Sequence, residues 1–185
     1  LIPNSNDNIK IEAIKLCGSD RLIKLFKLFD SSCDKLKLAI VTINVKNLQV
    51  WQFVELLDLI GDLDEDTMIM LIKKWNMPED KIKLFKSFKN PSDTVALNLI
   101  ENCNWPVVVN LYYAINNKNK KLMLSLSQKC ITNNAKYLYE SMIEDDNKDI
   151  SGKYNVADSD DEEIILNIIE KYQPHEVIDM YKTIN

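Results

Sequence analysis

The sequence predicts an all-α fold in which short antiparallel helix pairs are stacked, as in an α-solenoid. The first observation is a repeat, because residues 23–29 read IKLFKLF and residues 82–88 read IKLFKSF. The second is a helical pattern of apolar residues at positions i, i+3, i+4 and i+7, which recurs at a nearly constant distance along the chain. The third is that only three glycines occur in 185 residues, which leaves little material for β-hairpins.

One set of these apolar quartets defines what we call the A helices. The four positions lie on one side of a helix, so each quartet marks the face that packs against the rest of the protein. Successive quartets begin 31, 28, 27, 27 and 42 residues apart. One quartet has a lysine in its first place, and its other three places are apolar. The quartets begin at Leu22, Phe53, Lys81, Val108, Ala135 and Val177.

A second set of quartets follows the A helices along the chain and defines the B helices. A partial member near the N-terminus consists of Ala13, Ile14 and Cys17. Pro78, Pro106 and Pro174 lie two or three residues before A quartets, where proline suits the first turn of a helix. Helices of about 9 to 12 residues are marginal alone, so their stability must come from stacking on neighbours. The B quartets begin at Leu36, Met68, Ala96, Met123 and Ile165.

We interpret residues 1–185 as a single helical-repeat domain with a polar insertion at about residues 144–158. Removing the insertion restores the regular spacing of the A quartets. Residues 147–158 resemble an EF-hand calcium loop, with Gly152 at its sixth position. Asn147 stands where an EF-hand loop begins with Asp, and Asp158 stands where it ends with Glu. A weak calcium-binding regulatory domain is therefore one alternative for the function.

Composition excludes several functional classes. No apolar run approaches the roughly 20 residues that span a bilayer, and the first residues do not form a signal peptide. Arg21 is the only arginine among 23 basic residues, and the net charge is -5, so we expect no nucleic-acid partner. These features predict a cytoplasmic protein without a membrane partner. The chain begins at Leu1 rather than Met, so we expect flanking segments to have been removed.

The cysteines and the single histidine do not form a catalytic or metal-binding pattern. Cys17, Cys103 and Cys130 each take the last place of a B quartet, so we expect them to be buried apolar residues. Cys33 lies in a polar turn and is the thiol that we expect to be exposed. His175 begins the last A helix without a second histidine in the chain. We therefore predict no catalytic residue, no metal, no cofactor and no enzymatic activity.

Charged residues lie between the apolar positions of the A helices. Two A helices carry lysines at these positions, and the A helix between them carries carboxylates. If the A helices are neighbours, lysines and carboxylates alternate across the stack and form ion pairs of about 0.2 to 1 kcal/mol each. The lysines are Lys24, Lys27, Lys83 and Lys86, and the carboxylates are Glu55 and Asp58.

The chain from about residue 34 to residue 130 resembles a short helical-repeat domain of unknown function, found in bacterial proteins and in eukaryotic proteins that include proline- and serine-rich ones. The residues that carry this resemblance are 35–39 (KLKLA), 53–60 (FVELLDLI) and 80–85 (DKIKLF). The resemblance implies an all-helical fold without an assigned catalytic site.

A second, local resemblance is to Bcl-2-like proteins. Residues 104–112 (NWPVVVNLY) are similar to the Asn-Trp-Gly-Arg motif of that family, with Pro106 and Val107 in place of Gly-Arg. This resemblance implies a helical bundle that binds an amphipathic helix in a groove. Our main hypothesis is a non-enzymatic protein-interaction or scaffolding module. We expect its function where the repeats differ, in residues 144–158 and around Trp51 and Trp105.

Overall fold

The computed structural model describes residues 7–28, 34–43, 48–116, 119–148, 162–173 and 177–178. Regular structure in these ranges is helical throughout, and none of them contains a β-strand, which confirms the predicted all-α class. The chain divides into two compact units, Leu1–Ser92 and Asp93–Asn185. The interpretation of residues 1–185 as a single domain stays a prediction.

Unit 1 is built from alternating A and B helices in two layers. The A helices pack side by side, α2 on α4 and α4 on α6. The B helices form the other layer, in which α1 packs on α3, and α5 contacts α6 of the A layer. The helices are α1 (Asp7–Leu16), α2 (Ser19–Lys27), α3 (Asp34–Ile43), α4 (Val50–Ile60), α5 (Glu65–Lys74) and α6 (Pro78–Ser87).

Unit 2 repeats the same alternation. Its B helices α7, α9 and α11 pack in sequence, and its A helices α8 and α10 pack on each other. A 3-10 helix, Trp105–Val107, leads directly into α8. The helices are α7 (Asp93–Asn102), α8 (Val108–Ala114), α9 (Lys120–Lys129), α10 (Thr132–Lys148) and α11 (Glu162–Ile169).

The predicted quartets form the core. In α4 all four members are buried, and Phe53 and Leu56 have no exposed surface. The quartet of α6 is buried as well, including Lys81 at 7% exposure, whose aliphatic stem takes the apolar place. Burying a leucine-sized side chain contributes roughly 1.5–3 kcal/mol, so four such side chains per helix dominate the stability of each repeat.

Side chains at helix starts and special backbone angles at helix ends set the boundaries. Asp64 caps α5, accepting hydrogen bonds from the Thr67 amide at 2.8 Å and from the Thr67 hydroxyl at 2.7 Å. Pro78 occupies the first turn of α6, as predicted. Gly61 follows α4 with a φ of 80°, a value that glycine adopts at little cost. Pro106 lies in the 3-10 helix before α8, and Pro174 lies outside the described residues.

Helix α10 is longer than its predicted pattern. It continues to Lys148, so the first residues of the predicted insertion at 144–158 are helical. Its sequence contains no glycine or proline, the residues that most readily end a helix. The remainder of the insertion, from residue 149 on, lies outside the described residues.

Three lysines join successive B helices at their C-terminal ends. Each lies six residues after the start of its quartet, and its ammonium group donates to carbonyl oxygens at the end of the preceding B helix. Backbone donors run short at the end of a helix, so the lysine supplies a donor to these carbonyls and meets the negative end of the helix dipole. The Ser127 carbonyl also accepts from the Cys130 amide at 3.2 Å. The contacts are Lys74 to Thr42 O at 2.9 Å, Lys129 to Glu101 O at 2.7 Å and Cys103 O at 2.8 Å, and Lys171 to Ser127 O at 2.7 Å and Gln128 O at 2.8 Å.

The cap of α5 gives a first prediction. Asp64→Ala should lower the free energy of unfolding by about 1 kcal/mol, because the Thr67 amide loses its acceptor. Asp64→Asn should keep most of the stabilisation by the cap, because asparagine also supplies an acceptor oxygen. The Thr67 hydroxyl and then its amide lower the pKa of Asp64 below 3.8. The free energy of unfolding of wild type should therefore exceed that of Asp64→Asn above pH 3.8, and the difference should disappear as the pH falls through the lowered pKa. Urea unfolding from pH 7 to pH 3 measures both effects.

The lysine contacts give a second prediction. Lys129→Met keeps the aliphatic stem but removes the donor, so it should cost about 1–2 kcal/mol of unfolding free energy. Lys121→Met is the matched control in the same helix, because Lys121 is exposed near the start of α9. The control should change stability by less than about 0.5 kcal/mol. Equal losses in the two variants would show that the contacts to Glu101 and Cys103 contribute no net stability.

Candidate functional site

The outer face of the A layer in unit 1 is charged. The positions two and five residues after each quartet start point away from the core and hold lysine in α2, carboxylates in α4 and lysine in α6. Lys27 of α2 lies 3.2 Å from Glu55 of α4, which confirms one predicted ion pair between neighbouring A helices. Both side chains are about half exposed, so the pair contributes little to stability.

The pairing predicted for the lysines of α6 differs from the structure. Lys83 and Lys86 are exposed and form no ion pair within the part of the chain that the structure describes. The contact between α6 and α4 instead forms beyond their C-terminal ends, where Lys89 lies 3.5 Å from Asp62. Since both residues follow their helices, this contact also shows that α4 and α6 run parallel.

The outer face of the A layer in unit 2 carries two tyrosines. The same outward positions hold Asn110 and Tyr113 in α8, and Tyr137 and Glu140 in α10, and the two tyrosines are 49% and 60% exposed. The ring of Tyr113 packs edge-on against buried Tyr112, with centroids 5.4 Å apart, so the core holds its orientation. This face can therefore bury apolar area on a partner, which the charged face of unit 1 cannot do.

Two further apolar side chains lie at the N-terminal ends of these helices. Trp105 begins the 3-10 helix before α8 and is 47% exposed, and Ile131 directly precedes α10 and is 36% exposed. The Asn134 side chain donates a hydrogen bond to the Trp105 carbonyl at 2.6 Å, so the two helix starts lie side by side. We call Trp105, Tyr113, Ile131 and Tyr137 the aromatic surface.

Unit 1 has a smaller apolar pair at the corresponding helix ends. Trp51, in the first turn of α4, is 64% exposed, and Met77, directly before α6, is 59% exposed. The Gln52 side chain accepts a hydrogen bond from the Gln49 amide at 3.0 Å, which holds the helix start that carries Trp51. No described residue at the outward positions of α4 or α6 extends this pair with an aromatic ring.

Sequence reasoning found part of this site. It identified Trp51 and Trp105 as positions where the repeats differ, and both tryptophans are exposed. It missed Tyr113 and Tyr137, although a signal was present in the register. Both outward positions carry charges in α2, α4 and α6, whereas one of the two carries tyrosine in α8 and in α10, and a comparison of those positions would have revealed the change.

The predictions for the cysteines, for His175 and for the calcium-like loop have different outcomes. Cys103 and Cys130 are buried, as predicted, whereas Cys17 is half-buried because it follows the first described helix at the edge of the core. Burial raises the pKa of the Cys130 thiol to about 11, and the nearby Lys171 ammonium acts in the opposite direction. Cys33, His175 and the calcium-like part of the insertion lie outside the described residues.

Across the described ranges, no three His, Cys, Asp or Glu side chains converge as metal ligands would. Those ranges also contain no helix with the length and apolar character that crossing a bilayer requires. In the segment that resembles the Bcl-2 motif, Val107 takes the place of the motif's arginine. It is uncharged and only 4% exposed, so it offers no group that could bind a carboxylate. Comparisons with protein-family models, curated proteins and solved structures found no match to this chain. Both resemblances stay predictions.

The buried thiol gives a third prediction. Between pH 9.0 and about 11 the unfolded chain releases the Cys130 proton while the folded chain retains it. The free energy of unfolding should therefore fall as the pH rises through this interval, by about 1 kcal/mol at pH 10. Urea unfolding at pH 7 and pH 10 measures this loss. Cys130→Val should show a smaller loss, and Cys17→Val, the matched control, should behave as wild type. An equal loss in Cys130→Val would assign the pH dependence to other groups.

Proposed function

We propose that this chain is a non-enzymatic protein-interaction module that binds a partner protein through the aromatic surface of unit 2. The observation that carries the proposal is the exposure of Trp105, Tyr113, Ile131 and Tyr137 on two adjacent helices. Tryptophan and tyrosine contribute disproportionately to binding energy at protein interfaces, because they bury large rigid surfaces and retain a hydrogen-bonding group.

The contrast between the two units supports this assignment. The quartets of α4, α6, α8 and α10 are buried in both units, so the inward residues serve packing. The outward residues are under no such constraint, and in unit 1 they are the lysines and carboxylates expected of a face in water. Tyrosines at the equivalent places of α8 and α10 lose contact with water only when a partner covers them.

The chemistry of the surface favours a protein partner. Its four side chains are uncharged, so it lacks the cationic groups that bind a phosphate backbone. The only ion pair described beside it joins Lys136 and Glu140 of α10 at 3.9 Å. A cytoplasmic location is part of the proposal, and the thiols of Cys17 and Cys130 support it because reducing compartments preserve thiols.

Site-specific photo-crosslinking provides the fourth prediction. A benzoylphenylalanine at position 137 should form a covalent adduct with a partner in extract, whereas the same group at position 83 should not. Positions 137 and 83 are matched, because both lie two residues after the start of an A quartet and both are exposed. Adducts of equal yield from both positions, or from position 83 alone, would contradict the proposal.

The double variant Trp105→Ser/Tyr137→Ser measures the energetics of the same surface. With the partner identified by the crosslink, its Kd should rise by about 30-fold or more, because truncating an interface hot spot costs about 2 kcal/mol or more. Trp51→Ser is the control, since it removes a tryptophan of unit 1 that is more exposed than Trp105. Circular dichroism melting should show that both variants are folded.

A further inference from the structure

The B layer of unit 2 carries a second regular feature, a row of small polar side chains. Helices α7, α9 and α11 pack in sequence, and the contact of Asn119 with Asp93 at 2.6 Å places the starts of α7 and α9 side by side. The position two residues after each B quartet start lies opposite the buried face. It holds Asn98, Ser125 and Asn167, all half-buried, which we call the amide row.

The two asparagines are held in defined orientations. The Asn98 side-chain amide donates to the Thr94 carbonyl at 3.1 Å, and that of Asn167 donates to the Glu163 carbonyl at 2.9 Å. Each bond uses one N–H group of the carboxamide. Among the described residues no donor reaches either Asn side-chain oxygen, so each offers an acceptor, together with its second N–H. Such a pair of groups matches the N–H and C=O of a peptide backbone.

The geometry of the layer suits an extended chain that crosses the helices. Packed helix axes are about 8–10 Å apart, and three residues of extended backbone span about 10 Å. A segment that lies across α7, α9 and α11 therefore meets a member of the amide row at about every third residue. The equivalent position in unit 1 holds Leu38 and Met70, so the row is specific to unit 2.

Leucines and carboxylates flank the row and indicate the side chains of the ligand. Each member of the row directly follows a leucine in the sequence, and these leucines are Leu97, Leu124 and Leu166. Leu166 is 49% exposed. A surface depression of about 510 Å³ on α11 is lined by Glu162, Glu163, Leu166, Asn167 and Glu170.

The row ends on α11, and the exposed carboxylates Glu162, Glu163 and Glu170 lie in or directly after this helix. Glu101, another exposed carboxylate, lies at the end of α7, at the opposite end of the row. Opposing charges come from Lys120 and Lys121 at the start of α9, while Lys129 and Lys171 donate to backbone carbonyls. The α11 end therefore attracts a cation.

We propose that the amide row binds an extended segment of a partner protein that carries leucine-like and basic side chains, with the basic residues at α11. The amides hold the backbone, the leucines contact apolar side chains, and Glu163 and Glu170 attract lysine or arginine. This surface lies in the B layer and the aromatic surface lies in the A layer, so the two proposals stand or fall separately.

Fluorescence anisotropy with labelled peptides tests the proposal on the full chain. The probes are a peptide of four Lys-Leu-Ser repeats, its Glu-Leu-Ser counterpart and a Lys-Ser-Ser peptide that has the same charge without leucine. The Lys-Leu-Ser peptide should bind, and the other two should bind at least about tenfold more weakly. Failure of the Lys-Leu-Ser peptide to bind at about 1 mM would overturn the proposal.

Variants separate a specific site from attraction between opposite charges. Asn98→Ala/Asn167→Ala should weaken Lys-Leu-Ser binding by about tenfold, through the loss of two hydrogen-bonding groups. Asn110→Ala, an exposed asparagine of α8, is the control and should bind as wild type. Glu163→Gln/Glu170→Gln should weaken binding and reduce its dependence on salt. If the asparagine double variant binds as wild type while the glutamate variant does not, the interaction is electrostatic only and the amide row is not a site.

Discussion

The structure depends on one constraint, which is that helices of about ten residues cannot bury their apolar faces alone. An isolated helix of this length is marginal in water, so each one is stable only when its quartet is covered by neighbouring repeats. The constraint explains why the quartets of α4 and α6 are buried throughout, even where Lys81 takes an apolar place. It also leaves the outward positions of each helix without a structural role.

The helix ends impose a second requirement, because backbone donors run short for the last carbonyl groups of each B helix. Lys74, Lys129 and Lys171 meet this requirement from the next B helix. In α7 the same place holds Asn102, whose side chain donates to the Asn98 carbonyl of its own helix at 2.8 Å. The position is therefore polar in each of these helices, and its partner depends on which side chain occupies it.

Sequence reasoning succeeded where a residue's environment is set by its own helix. The register of the quartets predicted the buried faces, the burial of Cys103 and Cys130, and the ion pair between Lys27 and Glu55. It did not predict the contacts of Lys129 and Lys171, because a lysine near a helix end is equally compatible with a side chain that extends into solvent. Its acceptors belong to another repeat, and only the packed structure brings them within reach.

By itself, the sequence determined the helical class, the repeat register and the residues that fill the core, because apolar periodicity follows directly from burial of one helix face. The tertiary structure alone decided which outward side chains become neighbours. Trp105 lies beside the start of α10, where Asn134 donates to its carbonyl, because α8 and α10 pack side by side. Asn98, Ser125 and Asn167 form a row because α7, α9 and α11 pack in sequence. These sets are assembled from different repeats, so their proximity depends on packing between helices and is not encoded in any local pattern.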